Sequence, residues 1–99
     1  MGMDVLARIG QPPGVIADLG GFLAPHVKQL VHAGWMVRLA SPDALVVRQA
    51  SQDGAQDARP SSMTHAWPDN HFDVVFSSSD TLEEAERIRC NEGIIIHQS

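Results

Sequence analysis

The chain has 99 residues, 43% hydrophobic and 19% charged, with a formal charge of −5. That length predicts a single domain over 1–99 whose thin core buries roughly 60–65% of the unfolded surface. A lone cysteine, Cys90, excludes an intramolecular disulfide, no apolar run of about eighteen residues is present to span a membrane, and the acidic balance argues against general nucleic-acid binding.

Residues 3–9 (MDVLARI) read as a short helix ended by Pro12-Pro13-Gly14. Residues 15–19 (VIADL) are a short β-branched run between glycines, the pattern of a buried strand. After Gly20-Gly21, Leu23, Val27, Leu30 and Val31 form the stripe of an amphipathic helix over 22–33, closed by Gly34. Residues 35–40 (WMVRLA) are a second strand, so strand, helix and strand make a right-handed βαβ unit. Ser41-Pro42 is a helix start, with Ser41 as N-cap and the helix reaching about Ala50. Residues 51–70, rich in Ser, Gln, Asp, Gly and Pro, read as a long mobile loop in which Trp67 is a binding contact or lid. Residues 72–77 (FDVVFS) are a third strand. Asp80 and Thr81 can cap a helix that Gly93 ends, and residues 94–96 (III) form the last strand. Alternating strands and helices predict an α/β domain with an open, mostly parallel four-stranded sheet covered by helices on both faces.

The order of these segments resembles the class I S-adenosylmethionine-dependent methyltransferases. DVLARIGQPPGVIADLG is similar to that family's lead-in helix and first strand, HAGWMVRLASPDAL to its second strand, WPDNHFDVVFSSS to its fourth, and TLEEAERIRCNEGIIIHQ to a helix ending in glycine and a fifth strand. The resemblance implies a truncated Rossmann-like fold with strand order 2-1-3-4. It also implies a cofactor loop at DLGGFLAP, where Asp18 and Gly20 hold their places while Phe22 and Ala24 stand where glycines are expected. A second stretch, GGFLAPHVKQLVHAGWMVRLASPDA, resembles the glutamine-amidotransferase-like chaperone and deglycase family, but Cys90 sits near an expected helix end, before a strand, and not on the sharp strand-to-helix turn where that family places its nucleophile.

These readings lead to one expected function and two alternatives. The expected function is a degenerate, noncatalytic methyltransferase-like domain acting through a protein partner or as a homo-oligomer. One alternative is an S-adenosylmethionine-binding component completed by another subunit, and the other is a small Rossmann-like ligand-binding module. Ligands of open α/β sheets bind beyond the carboxyl ends of the strands, which selects Asp18, Gly20, Gly21, Ser41, Asp43 and Ser77 as the cofactor-binding candidates. With Phe22 in the loop and no acid ending the second strand, S-adenosylmethionine is expected to bind weakly or not at all. No catalytic residue stands out, and no motif joins His65, Asp69 and His71 into a metal site. Cys90 reads as an idle thiol. Ile94, Ile95 and Ile96 predict an apolar last strand that pairs with another chain. The start lacks a secretory pattern, so a cytoplasmic location is expected.

Overall fold

The computed structural model describes residues 14–97, so the helix expected over 3–9 lies outside the described residues. Among the described residues, five parallel strands form one sheet in the order β3-β2-β1-β4-β5. Strand β1 (Gly14–Leu19) is central, flanked by β2 (Trp35–Ser41) and β4 (Phe72–Ser77). β5 (Arg89–His97) and β3 (Asp57–Pro60) are the two edges. The four expected strands keep their predicted relative order. The expectation of four strands is corrected by β3, which adds a fifth beyond β2 and pairs Arg38 with Asp57 through Ser41 with Pro60. Proline is tolerated there because an edge strand need not donate on its open side.

The helices cover both faces. Helices α1 (Val27–Ala33) and α2 (Ala44–Gln52) lie on one face, and α3 (Leu82–Ile88) lies on the other. The period of two along β1 and β2 divides the core in the same way, and in β4 it holds from Val74 onward, Phe72 lying ahead of the register shift. Ile16, Val37, Leu39, Val74 and Phe76 pack with Leu23, Val27 and Leu30. Ala17, Leu19, Val75 and Phe72 pack with Ala85, Ile88 and Trp67. Trp35 is buried at the start of β2.

The first connection begins with a short 3₁₀ turn (Ala24–His26) before α1, and Gly34 closes α1 in the left-handed conformation. The N-cap of α2 is Asp43, whose carboxylate accepts from Leu45 N at 2.9 Å. The expected cap, Ser41, is instead the last residue of β2, and its Oγ accepts from Asp43 N at 3.1 Å. Before α3 the capping box belongs to Ser78 and Thr81.

The largest departure near the C-terminus is at Gly93. The helix stops at Ile88, and β5 already begins at Arg89, so Cys90 is a strand residue 3.8 Å from the Asp73 carboxylate. The β4–β5 register shifts between Phe72 and Val74. A Cβ at position 93 would stand 2.7 Å from the Phe72 carbonyl oxygen and 2.9 Å from that of Asp73. Glycine is therefore required by the close approach of two backbones at a bulge, not by a helix end.

Residues 51–70 are not one long loop. They contain the end of α2, β3 and a 3₁₀ helix (Ser61–Ala66), with Thr64 and Trp67 buried. Arg87 of α3 holds this segment against the sheet. Its guanidinium donates to the carbonyls of Trp67 (2.9 Å) and Thr64 (3.3 Å), grips both oxygens of Glu84 (2.7 and 2.9 Å), and pairs with Asp69. The Arg87 hydrogen bond holds the Glu84 carboxyl below the usual carboxylate range, helped by the Thr64 hydroxyl at 2.8 Å. Arg87→Met is expected to lower stability by about 1–2 kcal/mol, since hydrogen bonds to a charged group are the stronger kind but this guanidinium is partly solvated. Amide exchange across 61–70 should rise with it. Unchanged exchange in that stretch would show that Arg87 does not hold it.

Candidate functional site

The sheet reverses its strand order between β1 and β4, the place where open α/β sheets leave a crevice at their carboxyl ends. After Leu19 the chain turns through Gly20 and Gly21. Gly21 has φ 81°, and a Cβ there would lie 3.2 Å from Ser41 Oγ, so the turn needs glycine for both its conformation and its fit against β2.

Asp18 organises this turn. It is wholly buried at the end of β1, and its carboxylate accepts from three successive backbone N–H groups: Gly21 (3.2 Å), Phe22 (3.1 Å) and Leu23 (2.6 Å). Burial pushes its carboxyl up to about 7, against the lowering effect of those three donors. The Phe22 ring folds back over Gly20, where a Cβ would come within 2.7 Å of it.

The crevice beyond this turn has a volume of about 310 Å³ and is lined by Leu19, Gly20, Phe22, Pro42, Ser61, Ser78, Asp80 and Thr81. It adjoins a pocket of about 190 Å³ that shares Leu19, Ser61, Asp80 and Thr81 and adds Ala40, Thr64 and Glu84. The floor is apolar, the rim carries hydroxyls and carboxylates, and no lysine or arginine is among the lining residues.

Of the six candidates chosen from the sequence, Gly20 lines the crevice. The other five stand around it with polar groups engaged inside the chain. Asp18 holds the turn, Gly21 packs by Ser41, and Ser41 and Asp43 bond the start of α2. Ser77 is buried, donates to the Ser78 carbonyl at 3.0 Å and lies 3.0 Å from Thr81 Oγ1. Sequence reasoning missed Ser61 and Thr64, which came from the segment read as a loop. It read Asp80 and Thr81 only as capping residues. Trp67 is 2% exposed and belongs to the core, not to a lid. Of the loop histidines, His71 meets the Phe72 ring edge-on at 5.0 Å.

No family model matches the sequence, and no curated protein does. Solved structures do match the fold. An acetophenone reductase from Geotrichum candidum in complex with NAD is 18% identical over 92% of this chain, with a TM-score of 0.73. A protein from Sinorhizobium meliloti assigned as a zinc-binding dehydrogenase, bound to NADP, is 22% identical over 97%, with a TM-score of 0.70. An NAD-dependent alcohol dehydrogenase is 17% identical over 94%, with a TM-score of 0.64. This chain spans 28%, 32% and 31% of those chains, about a third of each.

Similarity to reductases and dehydrogenases corrects the methyltransferase resemblance and the degenerate-methyltransferase function drawn from it. The physical reason lies in what carried the resemblance. A strand ending in Asp-Leu-Gly, an apolar FDVV strand, and a helix followed by an isoleucine strand encode any parallel βαβ sheet. The one more particular piece, a helix ended by Gly93, is a bulge in a strand.

Proposed function

We propose that this chain is a small Rossmann-like ligand-binding module that holds a nucleoside- or nucleotide-class ligand in the crevice between β1 and β4. The observation that carries this reading is the crevice itself. It lies at the switch in strand order and joins an apolar floor (Leu19, Ala40) to a rim of hydroxyls (Ser61, Thr64, Ser78, Thr81). The apolar floor suits a base, and the hydroxyls and carboxylates suit ribose hydroxyls or an exocyclic amine. Adenosine is the moiety common to the NAD and NADP held by matched structures. Gly20 is the candidate that touches the ligand, and Asp18, Gly21, Ser41, Asp43 and Ser77 shape the walls from behind.

The test is titration of the full chain with adenosine, NAD and NADP, followed by calorimetry and by backbone amide shifts. Binding by at least one of them is expected, with shifts concentrated at Gly20, Ser61, Ser78 and Thr81. Shifts confined to another face would overturn the site. S-adenosylmethionine belongs in the same panel and is expected to bind more weakly than adenosine, because the turn has no free donor for its carboxylate.

The edge of β5 supports a proposal about assembly. Among the described residues this edge has no partner strand, and Ile94 is 43% exposed beside it. We propose that two copies pair through β5, which would satisfy the open backbone groups and cover Ile94. Ile95 and Ile96 pack inward on opposite faces, so Ile94 is the position to alter. Sedimentation should find a dimer for the natural chain and a monomer for Ile94→Lys. A natural chain that stays monomeric at high concentration would refute the pairing.

A further inference from the structure

We infer that the crevice selects a nucleoside over its phosphorylated forms, because the chain's own Asp18 carboxylate already takes the loop donors that a phosphate would need. This rests on the reading above that the ligand is of the nucleoside or nucleotide class. Three observations carry it independently.

The first is hydrogen bonding at the turn. A glycine-rich turn after the first strand of such a sheet recognises phosphate through free backbone N–H groups. Here the N–H groups of Gly21, Phe22 and Leu23 all donate to Asp18, at 2.6–3.2 Å. A phosphate would have to displace a buried acceptor that is part of the strand preceding it. The Phe22 ring, folded over Gly20, also occupies the space over which a phosphate would approach the turn.

The second is charge. The lining carries Asp80 and Glu84 and no cation among the described residues. The guanidiniums of Arg59 and Arg87, on the segments that supply Ser61 and Glu84, are already paired with carboxylates. Arg59 pairs with Asp57 and donates to the Met63 carbonyl, and Arg87 is held by Glu84 and Asp69. A phosphate brought into this crevice would meet the unpaired Asp80 carboxylate at its open rim, with no cation in the lining to offset the repulsion.

The third is size. The crevice is about 310 Å³ and the pocket it adjoins about 190 Å³, toward the lower end of the range for small-molecule sites, which runs from roughly 300 to 1,000 Å³. Those volumes suit a nucleoside better than a whole dinucleotide. NAD and NADP, as the matched structures hold them, therefore do not fit this turn, and the crevice accepts only the adenosine end of such a molecule.

The experiment compares adenosine, AMP, ADP and NAD on the full chain at low ionic strength. Adenosine should bind best, with AMP weaker by on the order of tenfold or more and the others no tighter than AMP. Asp80→Asn, at an exposed position, should narrow the gap between adenosine and AMP. AMP, ADP or NAD binding as tightly as adenosine would overturn this inference and leave the nucleoside-class reading standing. Binding by none of the four would overturn both. A gap unchanged in Asp80→Asn, together with AMP shifts away from the turn, would also overturn it, since the phosphate would then not face this wall.

Discussion

Trp67→Ala should destabilise the protein by about 3–5 kcal/mol, the range for truncating a buried large aromatic. A domain of this length has on the order of 5–15 kcal/mol in all, so the loss is a large share. Trp67 is 2% exposed and packs against Phe72, with ring centroids 5.6 Å apart. Its indole Nε1 donates to Asp57 Oδ2 at 2.8 Å, and Arg59 lies 5.6 Å over its ring. One side chain therefore ties the 3₁₀ segment, the edge strand β3 and the core under α3 together. Removing it leaves a cavity, takes the indole donor from Asp57 so that only Arg59 still pairs with it, and releases the wall that supplies Ser61 and Thr64 to the crevice. Urea unfolding should show the loss, and amide exchange should rise across 57–70 more than elsewhere. Trp67→Phe keeps most of the packing and drops the indole bond, so about 1–2 kcal/mol is expected there. A loss below about 1 kcal/mol for the alanine variant, with exchange unchanged, would mean that Trp67 is not the anchor described.

The same residue shows where the sequence stops being legible. Strands β1, β2 and β4 are readable because each is a compact apolar run with β-branched residues between turn signals, and the sheet's parallel order follows from alternation with helices. β3 is not readable. Its sequence, DARP, has one apolar residue, two charges and a proline, and its place is decided by backbone pairing to β2 at an edge where little side-chain burial is demanded. Once β3 is unread, its neighbours look like loop and Trp67 looks like a surface contact. Gly93 fails for a different reason. A glycine after a helical stretch signals a stop, but a glycine pressed against the Phe72 and Asp73 carbonyls looks the same in sequence, and only the register of β4 separates them.

The candidate site divides along a similar line. Its location follows from strand order alone, which is why Gly20 and the ends of β1, β2 and β4 could be named in advance. Which side chains line it does not follow. Short polar residues at strand ends are surrounded by orphan N–H groups of the next turn or helix, and Asp18, Ser41 and Asp43 bond to these instead of lining the crevice. The crevice is then left to residues from across the sheet. Ser61 and Thr64 stand there through Trp67 and Arg87, and Asp80 and Thr81 through the turn into α3.

Asp18 is also where stability and pH should couple most strongly. Its folded carboxyl titrates at about 7, raised by burial from an unfolded value of 3.8. Between those values the native state holds a proton that the unfolded chain has released, so stability falls as pH rises from about 4 to about 7 and levels off above. At ~1.4 kcal/mol per unit, the shift corresponds to roughly 4 kcal/mol across that window. Asp18→Asn removes the titration, and its stability contribution should be flat over the same range. The variant loses on the other side, because an amide presents one acceptor oxygen and an NH₂ group to three donors. The buried Leu23 N–H, bonded at 2.6 Å in the natural chain, is the group left facing that NH₂. Such a loss costs about 1–3 kcal/mol. The two effects oppose each other, so Asp18→Asn should be less stable than the natural chain near pH 4 and more stable than it near pH 8, by about 1–3 kcal/mol there. Denaturant unfolding of both proteins at the two pH values decides the matter. A deficit of the variant that stays constant with pH, or that grows toward pH 8, would mean that Asp18 remains ionised throughout and that the three N–H donors outweigh its burial.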